Sequence, residues 1–225
     1  MTGPGGASHL LPIGDRSTSA FVSAPRDASA ALFVLAHGAG GSLEDPLLLD
    51  VHRALALAGH GVIRFNFLYR DRGAKLPDKT PLLEATWRAV LAWARERFPE
   101  HGARLVIGGK SMGGRMASHL AAAGDSVSGL FLLGYPLHPA KQPEKLRDAH
   151  LASIPVRSFF AQGSKDALCD LALMRPAVAK MGALAQLFVI EGADHSLALP
   201  KKAGISAADL NSNIVAEACR WLLPQ

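Results

Sequence analysis

The sequence predicts one α/β domain built on a doubly wound, mostly parallel sheet of about seven strands, with helices on both faces. Three observations carry this expectation. Short apolar runs, among them ALFVLA at 31–36 and LFLL at 130–133, alternate with stretches of helical spacing, the pattern of strand–helix–strand units. The runs are near-continuously apolar, as strands covered on both faces must be. The polar residues able to do chemistry fall just after these runs, at strand carboxyl ends, where open parallel sheets gather their sites.

Taken in order, residues 16–23 read as an opening strand ended by Pro25, and residues 31–36 as a buried strand that empties into His37-Gly38-Ala39-Gly40-Gly41. Asp45 caps a helix with Pro46 at its first position and Leu47, Val51, Leu55 and Ala58 on one face. A strand at 62–67 precedes a polar loop, Tyr69 to Lys79. Thr80-Pro81 opens a long helix that Pro99 closes. Leu105-Val106-Ile107 drives into Gly108-Gly109-Lys110-Ser111-Met112-Gly113-Gly114, and an Ala-rich helix follows to Gly124. After the strand at 130–133, the charged segment 139–153 covers the surface. A strand from Pro155 ends at Gln162-Gly163-Ser164-Lys165-Asp166, a helix spans about 169–181, and the strand 186–190 ends in Glu191-Gly192-Ala193-Asp194-His195. Ser206 and Asp209 form a capping box for the last helix, with Leu210, Ile214, Ala218 and Trp221 on one face.

A length of 225 residues suits one domain. The expected division is a flexible lead-in over 1–15 and a single domain over 16–225. The start, MTGPGGASHLLPIGDRS, lacks the basic opening and long apolar core of a signal peptide. No apolar stretch approaches the roughly 18 residues of a membrane span, so no membrane association is expected. The net charge of +5 comes from scattered basic residues, which argues against nucleic acid as a partner. Cys169 and Cys219 have no framework or metal spacing, consistent with reduced thiols in the cytoplasm.

Gly109-x-Ser111-x-Gly113 between strand and helix is the pattern of a nucleophile elbow. The turn strains its central residue, so the flanking positions must lack clashing side chains. Gly109-Lys110-Ser111 could also end a phosphate-binding loop, but that motif needs a glycine where Arg104 stands, so the nucleotide-binding reading fails. A serine hydroxyl needs a base, and the base needs a carboxylate to hold its tautomer. His195 and Asp166 follow Ser111 in the order Ser, Asp, His expected of such a sheet. Asp170 and Asp194 compete for the acid role, but Asp170 falls inside the next helix and Asp194 adjoins the histidine and points elsewhere. His9, His52, His60, His101, His119 and His150 are read as solvated. The backbone N–H groups of Met112 and Ala39 are the candidate oxyanion donors.

HGAGG, GKSMGG, QGSKD and GADHS, in this order, resemble the α/β-hydrolases, in the dienelactone-hydrolase-like branch. RFNF, GGKSMGGRMAS, YPLHP with PEKLRD, and GADHS are similar more narrowly to the small hydrolase family that includes the testis-expressed-30 protein and the hydrolase-like domain of an NSL histone-acetyltransferase complex subunit. The resemblance runs from about residue 16 to the end of the chain. It implies an α/β-hydrolase fold and a Ser111–Asp166–His195 triad. Dienelactone hydrolases use a cysteine nucleophile where this chain has Ser111.

The segment between Leu133 and Pro155 is too short for a large cap domain, so an open site for a small or short-acyl ester is expected. Tyr69, Arg70 and Arg72 after one strand, and Tyr135, Leu137 and His138 after another, are candidate walls, the arginines for a substrate carboxylate. The histidines show no metal-binding spacing, and neither metal nor cofactor is expected. The reading is a carboxylesterase-like serine hydrolase acting as a monomer or homodimer, with thioesterase or peptidase chemistry open. The competing reading is a binding or scaffold protein that keeps the fold with little turnover.

Overall fold

The computed structural model describes residues 5–223, and eight strands pair into one sheet. They are β1 (Ala7–Ile13), β2 (Arg16–Ser23), β3 (Leu32–Ala36), β4 (Gly61–Phe65), β5 (Leu105–Lys110), β6 (Gly129–Leu133), β7 (Arg157–Gly163) and β8 (Ala185–Ile190). Their spatial order is β1-β2-β4-β3-β5-β6-β7-β8. From β4 through β8 all neighbours run parallel, whereas β1 on β2 and β2 on β4 are antiparallel. The helices are α1 (Pro46–Leu57), α2 (Leu68–Asp71), α3 (Thr80–Arg97), α4 (Met112–Ala122), α5 (Leu171–Ala179) and α6 (Ala207–Leu222).

Side chains alternate across the pleat, so each buried strand feeds two cores. Leu32, Val34, Ile63, Ile107, Leu130 and Leu132 pack with Trp87 and Leu91 of α3, Met116 and Leu120 of α4, and Met174 of α5. Phe33, Leu35, Val62, Val106, Phe131 and Leu133 face the other way, onto Leu48, Val51 and Leu55 of α1 and Ile214 and Ala218 of α6. This two-sided burial is why the runs read as continuously apolar. The caps fall where expected: Asp45 Oδ1 accepts the Leu47 N–H of α1, and Ser206 Oγ accepts the Asp209 N–H of α6.

Three expectations are corrected. Residues 1–15 are not a lead-in throughout, because Ala7–Ile13 form the edge strand β1. A tight Gly14-Asp15 turn, with Gly14 at φ 62°, joins it to β2 and raises the strand count from about seven to eight. Residues 1–4 lie outside the described residues. The polar loop after β4 begins as the short helix α2, whose own Leu68 and Tyr69 are buried. His52 and His101 are buried rather than solvated: His52 accepts from Arg64 Nε (3.1 Å) and pairs with Ser23 Oγ (2.8 Å), and His101 Nδ1 meets the Ala30 carbonyl. Among the described residues no helix is long and apolar enough to cross a membrane.

Candidate active site

Ser111 stands between β5 and α4 at φ 51° and ψ −118°, a conformation that costs a side-chain-bearing residue on the order of 1–3 kcal/mol. Close packing around it enforces the geometry. Gly109 sits at φ 128°, and a Cβ there or at Gly113 would overlap the Ala36 backbone of β3. Glycine at both positions lets the elbow press against the neighbouring strand while the Ser111 N–H bonds the Leu133 carbonyl at 2.9 Å. The hydroxyl is thereby lifted off the sheet's carboxyl edge, at the positive end of α4.

His195 follows β8 and reaches back over this edge. Its Nε2 lies 2.8 Å from Ser111 Oγ and its Nδ1 2.8 Å from Asp166 Oδ2. A carboxylate can only accept, so Nδ1 carries the proton and Nε2 accepts from the serine hydroxyl. The Asp166 side chain is fully buried and the His195 side chain is 25% exposed. Asp166 is held from three sides: Gln162 Nε2 donates to Oδ2 at 2.6 Å, Leu168 N–H donates to Oδ1 at 2.7 Å, and His195 donates to Oδ2. Its rivals serve elsewhere. Asp194 Oδ1 accepts the N–H groups of Ser196 and Ala198 and so shapes the turn that carries His195. Asp170, expected inside a helix, is instead the N-cap of α5, accepting from Ala172.

The loop after β3 closes the site's other side. His37 is buried, with Nδ1 donating to the Gly38 carbonyl (2.7 Å) and Nε2 accepting the Phe67 N–H (3.1 Å). Burial pulls its pKa down to about 4, so the ring is neutral and acts as a fixed brace between the ends of β3 and β4. Gly40 N–H donates to the Tyr69 hydroxyl at 3.2 Å, and Leu43 N–H to Asn66 Oδ1 at 2.7 Å. Ala39 lies within this braced turn, exposed, and Met112 is the first residue of α4, whose N–H has no carbonyl partner within the helix. Both N–H groups belong to segments bordering Ser111, a setting able to receive a developing negative charge.

The sequence profile of the family described as "Alpha/beta hydrolase domain" matches residues 29–223. The chain belongs to the α/β-hydrolase family. Solved structures of similar shape include a dienelactone hydrolase from Anabaena variabilis, with 18% identity, TM-score 0.76, and coverage of 98% of this chain and 100% of that one. A member of the α/β serine hydrolases without a lid, from Xanthomonas campestris, has 21% identity and TM-score 0.74, covering 98% and 96%. An esterase from Pyrococcus furiosus has 16% identity and TM-score 0.73, covering 97% and 91%. At these identities the likeness is one of fold. No large cap interrupts the sheet in this α/β-hydrolase: residues 134–156 form loop with one 3₁₀ turn, Leu151–Ser153.

The wall residues expected of the α/β-hydrolase site need correction. Tyr69, Tyr135 and His138 are buried and brace loops from behind. Tyr69 takes the Gly40 N–H, and the Tyr135 hydroxyl donates to the Arg147 carbonyl at 2.7 Å. His138 Nε2 accepts the Asp170 N–H at 3.0 Å, while Nδ1 donates to the Pro139 carbonyl at 2.9 Å. Arg72 is paired with Asp78. Arg70 is partly exposed, and its buried Nε has no hydrogen-bond partner among the described residues. Three contributors were not foreseen: Gln162, the brace role of His37, and the ion pair of Lys110 Nζ with Asp45 Oδ2 at 2.9 Å. All lie inside motifs already conspicuous in the sequence; Gln162 meets Asp166 four residues on, but the partners Phe67 of His37 and Asp45 of Lys110 come from distant segments.

Proposed function

We propose that the protein is a carboxylesterase-like serine hydrolase of the dienelactone-hydrolase-like branch, akin to the small testis-expressed-30 family, with Ser111, His195 and Asp166 as its catalytic triad. The observation that carries this is His195 bridging Ser111 Oγ and Asp166 Oδ2 at 2.8 Å on each side, above a strained serine. His195 Nε2 takes the hydroxyl proton as Oγ attacks the ester carbonyl carbon. The tetrahedral oxyanion accepts from the N–H groups of Met112 and Ala39. The carbon–oxygen bond then breaks, and the leaving alcohol takes the proton from His195. Water, deprotonated by the same nitrogen, adds to the acyl carbon; the bond to Ser111 Oγ then breaks, Oγ takes the proton back from His195, and the acid is released. Asp166 keeps His195 in the required tautomer and offsets its transient charge.

Every group this chemistry needs is a side chain or backbone group of the chain, so the reading requires no metal or cofactor. Cysteine is a poor rival nucleophile here, because burial pushes the Cys169 thiol up to about 12 and that of Cys219 to about 11. The open, capless edge favours small, water-soluble esters, and thioesters are attacked by the same steps. Replacing Ser111 by Ala should lower kcat for 4-nitrophenyl acetate by on the order of 10⁴-fold or more. Wild-type turnover by that variant overturns the reading.

A further inference from the structure

A groove of about 280 Å³ lies between the start of α1, the turn after His195 and the start of α6, one residue removed along the chain from each member of the reacting pair. Lys110, the residue before Ser111, and Ser196, the residue after His195, both lie in its wall. The rest is largely apolar: Leu47, Leu197 and Leu210 are buried, and Ile205 stands at the rim, 38% exposed. Leu197 holds φ 59°, one of three non-glycine residues with positive φ among those described, and it is only 2% exposed, packed in the core shared by α1 and α6 behind the groove. Backbone strain of this kind persists where the surroundings demand a particular side-chain placement, and here it lies in the turn that also carries His195. The strained turn thus seats Leu197 in the core and fixes the backbone that forms this side of the groove.

We propose that this groove takes one uncharged, apolar arm of the ester substrate; the inference rests on the esterase reading above. Size limits the arm. Whole small-molecule ligands occupy pockets of roughly 300–1,000 Å³, so this groove suits part of a substrate. With about 30 Å³ for a water-sized group, it has room for a chain of up to about eight carbons or a single ring. Charge limits it further. Lys110 is already paired with Asp45, and Asp50 with Asn211 Nδ2 (3.2 Å) and Arg53 (3.4 Å). A charged arm would lose its water and meet no free counter-charge. The arm can belong to the acid or the alcohol half of the ester, and both halves share this chemistry.

The test compares two substrate series with the intact protein: 4-nitrophenyl esters from acetate to decanoate, and alkyl acetates from ethyl to decyl. In one series kcat/KM should rise about threefold to fourfold per added methylene, the gain of burying a CH₂ group, and level off near eight carbons. A carboxylate-ended arm of matching length should be at least tenfold slower than its neutral counterpart: a dicarboxylic acid half-ester where the acid half responds, the acetate of an ω-hydroxy acid where the alcohol half does. Ala207→Trp, at an exposed position in the groove wall, should flatten the rise. If that variant fails to fold, Ile205→Asp at the rim should do the same. A flat response in both series, with acetate hydrolysed through Ser111, overturns the groove proposal alone, as does a rise that survives the folded variant or equal rates for charged and neutral arms. Loss of all turnover in the wild type, acetate included, overturns the esterase reading and the groove with it.

Discussion

Ser111 is strained, His195 is braced, and Asp166 is anchored, each by different neighbours. The strain comes from packing of Gly109 and Gly113 against Ala36, which leaves the serine no relaxed alternative. The histidine tautomer comes from Asp166, which makes the acid's role testable: Asp166→Asn would present an amide to Nδ1 and favour the wrong tautomer. Its kcat should fall by on the order of 10⁴-fold, with the melting temperature measured alongside to exclude unfolding. Tyr69 offers a second residue-scale prediction. As a substrate wall it would affect KM, but as a brace on Gly40 its loss loosens the turn carrying Ala39. Tyr69→Phe should therefore lower kcat by about tenfold, the value of roughly one hydrogen bond, and leave KM within about twofold. A KM effect with unchanged kcat would return Tyr69 to the substrate.

At the scale of elements, the buried strands and long helices were legible because burial on two faces and one-sided helix packing leave strong periodicities. The edge strand β1 was not. Leu11 is fully buried and His9 and Ile13 are half-buried, but the other residues are exposed, Leu10 to 72%, and Pro12 interrupts the run. An edge strand needs few apolar residues, so no pattern announced it; the local cue was the glycine-containing Gly14-Asp15 turn. The assignment predicts that Leu11→Ala destabilises the protein by about 2–4 kcal/mol in denaturant unfolding. A flexible lead-in would give no change. The same reasoning explains Asp170, placed one position too deep in α5: helix ends are capped by the residue before the first turn, and Asp170 takes that place.

Across the whole molecule, the order Ser, Asp, His along the chain was readable because a doubly wound sheet delivers successive strand ends to one edge. The bracing residues were not, because their roles depend on pairing between strands far apart in sequence. Buried histidines show this most clearly. His37 and His52, both buried, and His150, partly buried, have pKa values pulled down to about 4, chiefly by loss of solvent, although only His37 stood in a recognisable motif. Unfolded histidine titrates near 6.5. Between these values the unfolded chain binds more protons, so their contribution to stability is present above about pH 6.5 and lost progressively as pH falls toward 4. The melting temperature should therefore drop between pH 7 and pH 4.5. An unchanged value contradicts the neutral state of these rings in the folded protein.

The central claim is that one serine, at the elbow between β5 and α4, is the nucleophile. It is tested most directly by reacting the protein with a fluorophosphonate probe and locating the adduct by peptide mass spectrometry. The account predicts a single adduct on Ser111, absent from Ser111→Ala and strongly slowed in His195→Ala. An adduct on another residue, or equal labelling of wild type and Ser111→Ala, would contradict it.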